Sequence, residues 1–269
     1  MSGAPIFCYH DVVGSEDALA SVAPAHRPYV LTRAQLVEHL DALAGAQAGG
    51  TVVARTVGEL VAAPGAGQFA LSFDDGHESS YSEIFPLLAE RRWRGTFFVV
   101  ASWIGEPHSL SWGQLRAMAD AGMEIGSHSL THPFINTLAP DAIRHEFAES
   151  KRILEDGLGR PVQVASLPRG STAPGMAEIV AELGYEAFCT SEPGLVSSTT
   201  NPFDAPRIAI KWRTSAPFLI HVLAGHRLTL ATLRSSYAMK RLGKRLVGAE
   251  RWRRVRGAVI AGSARAGHR

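Results

Sequence analysis

Cysteine is scarce: Cys8 and Cys189 are the only two in 269 residues. Two cysteines make no disulfide framework, and a domain of this length needs no staple, so two buried, reduced thiols are expected. Long apolar runs are missing as well. No stretch approaches the ~20 residues of a membrane span. The start, Met1-Ser2-Gly3-Ala4-Pro5, lacks the basic region and apolar core of a signal peptide. These absences point to a cytoplasmic protein. A charge excess is lacking too: 27 Lys+Arg against 25 Asp+Glu leave a net +2. That balance alone argues for no polyanionic partner.

What charge there is sits unevenly. From Lys240 onward the chain carries Lys240, Arg241, Lys244, Arg245, Arg251, Arg253, Arg254, Arg256, Arg265 and Arg269, with Glu250 as the only acid. The remainder is net acidic. The basic end also holds Leu233, Tyr237, Met239, Leu242, Leu246, Val247, Trp252, Val255 and Val259. Two readings follow for this segment. It is a solvated helix packed by its apolar face, or an amphipathic segment that docks on an anionic membrane surface. No nucleic-acid-binding motif accompanies the charge, so a nucleic-acid partner is not expected.

At 46% hydrophobic and 19% charged residues the composition is that of an ordinary globular protein with a substantial core. Short apolar runs alternate with capped helical segments. Strands are expected at Ile6–His10, Phe69–Phe73, Gly95–Val100, Met123–Ile125, Gln163–Leu167, Ala187–Thr190 and Arg207–Ile210. Capping signals at Thr32, Thr56 and Ser111 open helices. The first of these is expected to run out in a loop over residues 44–50, and Gly157 is expected to stop a helix over residues 141–156. Such alternation predicts a parallel α/β sheet or barrel. Residues 1–215 are expected to form that unit, and 216–269 a basic helical extension.

In parallel α/β folds chemistry gathers at the C-terminal ends of strands. Asp74-Asp75-Gly76 ends one expected strand, and His128-Ser129-Leu130-Thr131-His132 follows another. Either motif alone is weak, since Asp-Asp-Gly commonly makes a surface turn. Together they offer one carboxylate and two imidazoles for a metal, with a second carboxylate beside them to take a proton from water. That ligand set suits Zn²⁺, and also Co²⁺, Ni²⁺ or Fe²⁺. Iron oxygenases use the same ligand types, but on an antiparallel double-sheet barrel.

Leu71-Ser72-Phe73-Asp74-Asp75-Gly76 and Gly126-Ser127-His128-Ser129-Leu130-Thr131-His132-Pro133 resemble, in order, the first two signature motifs of the polysaccharide deacetylases. This is the NodB-homology group, carbohydrate esterase family 4. The resemblance runs over residues 4–212 and takes in Tyr9-His10, Thr96–Val99 and Ser111-Trp112. It implies a deformed (β/α) barrel of about seven parallel strands and metal-dependent removal of acetyl groups from sugars. It also implies one divalent cation, zinc first, with cobalt or nickel as substitutes. Asp75, His128 and His132 would hold the cation and Asp74 would be the general base.

The resemblance further assigns the turn Ser166-Leu167-Pro168-Arg169-Gly170 to the oxyanion. The Arg169 backbone amide would be the donor, with Pro168 and Gly170 lining the substrate. An arginine here departs from the usual aromatic residue, and its guanidinium would be free to meet an anionic part of the substrate. The family's last motif, a Leu-x-His strand bearing the acid, is not clearly present. His221 in Pro217-Phe218-Leu219-Ile220-His221 and His10 at the first strand end are the candidates. Arg207 is expected to steer the catalytic carboxylate, as an arginine does in some family branches, or to pair structurally with an acid. His77, Glu78 and Asn136 adjoin the motifs.

The substrate class expected is an N-acetylated sugar, glycan or glycolipid precursor of the kind used in exopolysaccharide biosynthesis. With no export signal, the expected place is the cytoplasm or the inner face of its membrane. Two other readings are a catalytically silent glycan-binding protein on the same scaffold and a hydrolase of a non-sugar amide.

Overall fold

The computed structural model describes residues 3–48 and 52–247. In chain order the strands are β1 (Ile6–Tyr9), β2 (Asp11–Val13), β3 (Val30–Thr32), β4 (Val53–Arg55), β5 (Gln68–Phe73), β6 (Thr96–Val99), β7 (Glu124–Ser127), β8 (Val164–Ser166), β9 (Ala187–Cys189) and β10 (Ile208–Ala209). The helices are α1 (Glu16–Ser21), α2 (Arg33–Ala48), α3 (Val57–Ala62), α4 (Phe85–Glu90), α5 (Trp112–Asp120), α6 (Pro140–Leu158), α7 (Met176–Glu182), α8 (Ala216–Leu223) and α9 (Arg227–Val247).

Seven strands follow one another in the order β10-β1-β5-β6-β7-β8-β9, every pair parallel. β4 joins the first half of β5, through Val53 opposite Gln68. The ends of this curled sheet nearly meet. Ala205, just before β10, exchanges hydrogen bonds with Phe188 and Thr190 beside β9, at 2.9 and 2.8 Å. The result is the deformed (β/α) barrel that the resemblance implies, one of the two forms the alternation left open. β2 and β3 form a separate two-stranded sheet.

Strand periodicity sorts the side chains. Phe7, Tyr9, Leu71, Phe73, Phe97, Val99 and Phe188 belong to the large core cluster that the helices cover. Ile6, Ala70, Phe98, Val164 and Ala187, at alternate positions, form a smaller cluster within the curl. α3 closes this inner cluster from the strand starts: Val57 and Leu60 join it, and Val57 N–H donates to Thr96 Oγ1 at 2.8 Å. The space inside is tight. A Cβ on Gly126 would stand 2.6 Å from the Phe98 ring, so β7 needs glycine there.

All three capping boxes form, at Thr32 with Gln35, Thr56 with Glu59 and Ser111 with Gln114. Two expectations about glycine need correction. α2 does not run out at residue 44 but continues to Ala48 through Gly45, carried by its alanines; residues 49–51 lie outside the described ones. Gly157 does not stop α6 either. It lies inside the helix, where a Cβ would stand 2.1 Å from the Trp112 ring, and the left-handed stop is Gly159, at φ 68°. Gly157 is there so that α5 and α6 can touch.

The division drawn after residue 215 falls at the N-cap of α8. α8 is nonetheless part of the core, because Leu219 and Val222 are fully buried in it. α9 packs through Leu230 and Leu233, while residues 248–269, with Trp252, Val255, Val259 and most of the arginines, lie outside the described residues.

Candidate active site

Period-two alternation along β5 puts Ala70, Ser72 and then Asp74 on the inner face. Asp74 is 3% exposed, and its N–H donates to Tyr9 O at 3.0 Å, extending the β1–β5 ladder by one residue. Its carboxylate meets Arg207, which leads into β10, the next strand but one in the sheet. The guanidinium forks onto both oxygens, Nη1–Oδ1 at 2.6 Å and Nη2–Oδ2 at 2.9 Å, and Nε donates to Thr190 O at 3.1 Å. Arg207 is itself only 2% exposed and lies over the Phe98 ring. Burial pushes the Asp74 carboxyl up, but the guanidinium, joined by His128 and His10, outweighs it and holds the group below its ordinary value.

The backbone then turns over. Asp75 and Gly76 both have φ 77°, so Asp75 leaves the strand direction and faces the imidazoles instead. Asp75 Oδ1 lies 3.4 Å from His128 Nε2 and 3.3 Å from His132 Nε2, and Oδ2 lies 3.6 Å from His77 Nε2. Burial raises the Asp75 carboxyl, yet the contacts with His128 and His77 carry it well below the usual range. His132 is pushed down to about 4 by its burial and by the neighbouring His128.

The histidine loop is held as firmly as the aspartates. His128 N–H donates to Val99 O at 2.8 Å, in register with β6. Its Nδ1 lies 2.5 Å from Ser166 Oγ at the end of β8. In the tautomer with Nδ1–H donating to Ser166, Nε2 is left with its lone pair toward Asp75. Ser129 and His132 adopt φ 69° and 59°, a turn that needs support. Glu146 of α6 supplies it, accepting from Leu130 N–H at 3.0 Å, Thr131 N–H at 2.8 Å and Thr131 Oγ1 at 2.6 Å. The His132 ring is flanked by Trp103 and His128, with centroids 5.3 and 5.0 Å away.

Asp75, His128 and His132 each present one donor atom within 4.8 Å of the others. Asp75 Oδ1 is buried with no hydrogen-bond partner among the described residues. A hard carboxylate and two lone-pair nitrogens around an unsatisfied buried oxygen fit a divalent cation. Cys8, His10 and Asp74 satisfy the same distance criterion. They do not fit a cation, because Arg207 already takes both Asp74 oxygens and burial pushes the Cys8 thiol up, away from the thiolate. Cys8 Sγ instead donates to Asp74 Oδ2 at 3.4 Å.

The structure thus gathers Asp74, Asp75, His10, His128, His132 and Arg207. The His10 ring rests against Tyr29 at 4.9 Å with Nδ1 enclosed and unpaired, and burial lowers its pKa. Pro168, Arg169 and Gly170 turn past His132. The Arg169 guanidinium donates to His132 O at 2.8 Å and lies over the Phe134 ring, so it is engaged with the histidine loop rather than directed freely at a substrate. Arg169 and Gly170 have φ 56° and 62°. His221 is not brought to this site. It is exposed on α8, with its ring beside that of His226, so the apolar segment before it is a helix covering the core and not a strand ending at the site.

Glu146, and the role of Ser166 as the partner of His128, went unrecognised in the sequence. Glu146 did leave a signal, as a buried acid on the Ile143–Phe147–Leu154 face of α6 where helical spacing calls for an apolar residue. Ser166 left none, because small residues line the inside of the barrel for steric reasons as well.

Residues 62–188 match the family model for polysaccharide deacetylase. The chain is 31% identical over 100 residues to a chitooligosaccharide deacetylase of Rhizobium leguminosarum bv. phaseoli, covering 37% of this chain and 42% of that one. It is 35% identical over 77 residues to the peptidoglycan-N-acetylmuramic acid deacetylase PdaA of Bacillus subtilis, covering 28% of each. The chain spans less than half the length of these two curated relatives. Among solved structures, the Streptococcus pyogenes deacetylase PplD in complex with acetate superposes with a TM-score of 0.71 at 22% identity, covering 82% of this chain and 98% of that one. IcaB from Ammonifex degensii does so with a TM-score of 0.65 at 22% identity, covering 83% and 97%. At that identity these likenesses speak for the fold. The matched region runs from the end of α3 into β9 and carries both the aspartate pair and the histidine loop, so this part of the chain is similar to the polysaccharide deacetylase family.

Proposed function

We propose that this protein is a metal-dependent hydrolase that removes the acetyl group from an N-acetylated sugar, as a free intermediate, a glycan or a glycolipid precursor. The observation that carries the reading is the split between the adjacent aspartates: Asp74 is forked by Arg207, while Asp75 faces His128 and His132. A divalent cation held by Asp75, His128 and His132, zinc by ligand type, would make a water nucleophilic at neutral pH and polarise the acetyl carbonyl.

The chain's own groups do the rest. Arg207 keeps Asp74 ionised and fixed, ready to accept the proton of the attacking water. That orientation comes at some loss of basicity, since a carboxylate held below its ordinary pKa is a weaker base. The Arg169 amide, in the turn beside His132, is the donor for the developing oxyanion. Departure of the amine needs a proton. His10 is the group to relay to it the proton that Asp74 took from the water, since its ring and the Asp74 carboxylate offer atoms within 4.8 Å of each other. Acetate and the free amine are the products. His221 has no part in this scheme.

The test is acetate release from a panel of N-acetylated sugars and oligosaccharides by protein of known metal content. Zinc-, cobalt- or nickel-loaded protein should release acetate, and chelated protein should not. Absence of release from the whole panel by metal-loaded protein refutes the proposal. Sugar binding without turnover in that experiment is the behaviour of the silent glycan-binding alternative.

A further inference from the structure

The described residues expose four large apolar side chains, and three of them lie on α9: Leu228 at 73%, Met239 at 67% and Leu242 at 57%. Spacings of eleven and three residues bring these three to one face of the helix. The opposite face is the one that packs, through Leu230 and Leu233. Beside the exposed apolar stripe stand Arg227 and Arg234, both exposed and seven residues apart. The sequence continues that seven-residue spacing with Arg241, then adds Lys244 and Arg245. From Ala205 to Ala249 there is no Asp or Glu.

We infer that α9 is an interfacial helix that docks this protein on an anionic lipid bilayer, its leucine and methionine stripe entering the boundary and its arginines meeting the headgroups. Charge complementarity selects this occupant. A second copy of the chain would set cation against cation, with no acid in the segment to relieve it. A nucleic acid would satisfy the arginines and leave the apolar stripe unexplained.

The helix lies on the bilayer rather than crossing it. Among the described residues no single helix is long and apolar enough to span. α8 and the first part of α9 reach the length together but are bent by 106°, and α8 buries Leu219 and Val222 in the core. The helix is also tied to the active site. It follows α8 directly, and the loop that leads into α8 carries Lys211 over the Tyr29 ring, while Tyr29 packs on His10.

Co-sedimentation of the full chain with vesicles tests this. Vesicles of phosphatidylcholine alone should leave the protein in solution; vesicles of phosphatidylcholine and phosphatidylglycerol in equal parts should bring it down, and raised salt should release it. Arg227→Gln or Arg234→Gln should each weaken partition about fivefold at low salt. Each of Leu228→Ser, Met239→Ser and Leu242→Ser should weaken it about tenfold or more. These surface changes should leave thermal unfolding unaltered, which separates lost docking from lost fold. The triple serine variant also separates α9 from the basic residues beyond it. The inference is overturned if wild type stays in solution with the anionic vesicles, or if the triple variant sediments as well as wild type. A dimer that depends on the stripe, without vesicle binding, overturns it in favour of a second copy.

Discussion

Replacing Arg207 by methionine probes the most buried charge at the site. The guanidinium and the Asp74 carboxylate are 2% and 4% exposed, and they share two hydrogen bonds. Methionine fills much of the same volume but strands a carboxylate among Cys8, Ser72 and the barrel interior. Breaking a buried pair by removing one partner costs about 3–5 kcal/mol. At about 2–4 °C per kcal/mol for a chain of this size, the melting temperature should fall roughly 6–20 °C.

The loss should depend on pH, and its sign follows from the folded-state titration. In wild type Asp74 titrates below its unfolded value, so the pair's contribution is complete above about pH 4 and is lost as the pH falls through the lower folded value. In Arg207→Met burial loses its main opponent and raises the group against the smaller pull of His128 and His10, so that variant is relatively favoured in acid and loses stability as the pH rises. The gap between the two proteins should therefore widen from about pH 4 toward neutrality. The assay is urea unfolding of both proteins, in chelator, across that range. The double variant Asp74→Asn/Arg207→Met should be more stable than the sum of the single losses by about 1–3 kcal/mol. A pH-independent gap, or additive losses, would refute the reasoning that the two groups form one electrostatic unit.

Asp74→Asn should keep the cation while losing acetate release, and Asp75→Ala should lose the cation; metal analysis after dialysis distinguishes the two, and metal loss in Asp74→Asn would reverse the roles. Glu146→Ala should free the turn that sets His132 and weaken zinc binding about 10–100-fold in a chelator competition, with the helical circular dichroism unchanged. Gly45→Ala and Gly157→Ala form a matched pair inside helices. The first, with nothing within 4 Å of the new Cβ, should gain about 0.5–1 kcal/mol in chemical unfolding, and the second should lose stability against Trp112 despite the same gain in propensity. His39 is buried, with Nε2 2.9 Å from Thr214 O, and burial lowers its pKa, so its contribution is complete above the ordinary histidine value and is lost as pH falls through the lower folded one. His39→Gln should accordingly shallow the acid side of a plot of melting temperature against pH.

The barrel was legible because parallel strands demand crossovers, and each crossover leaves a capped helix between two apolar runs. Thr32, Thr56 and Ser111 each announced one. What escaped was set by distance in the chain. Gly157 is a stop by local rules, but Trp112 in the neighbouring helix is what requires it. Gly45 is a breaker by local rules, yet the alanines around it carry α2 onward. Residues 217–223 show the same ambiguity, since a short apolar run reads equally as a strand or as a buried helix. His221 is a candidate only through the Leu-x-His pattern that the resemblance implies, and α8, beginning just after Ser215 as the helical reading has it, keeps it away from the site.

The site itself divides along the same line. The aspartate pair and the histidine loop are local motifs, each legible within a few residues. Arg207 is legible only as a cation beside an expected strand. Its partner follows from the sheet order, in which β10 lies next to β1 and β1 next to β5, so that Arg207 and Asp74 face each other across the inside of the curl. The two aspartates show why that order matters. They are identical in type and adjacent, so composition cannot separate them, but one peptide changes their surroundings. Asp74 keeps the strand's alternation and points inward to the guanidinium. Asp75, at φ 77°, breaks the alternation and points to the imidazoles. A carboxylate with both oxygens committed to a guanidinium is a poor ligand, and one with an unpaired oxygen between two imidazoles is a good one. The backbone sign at Asp75 therefore sets the two carboxylates in different surroundings, and Gly76 permits it: a Cβ there would crowd Val99 at 3.0 Å and strain the second positive φ of the turn.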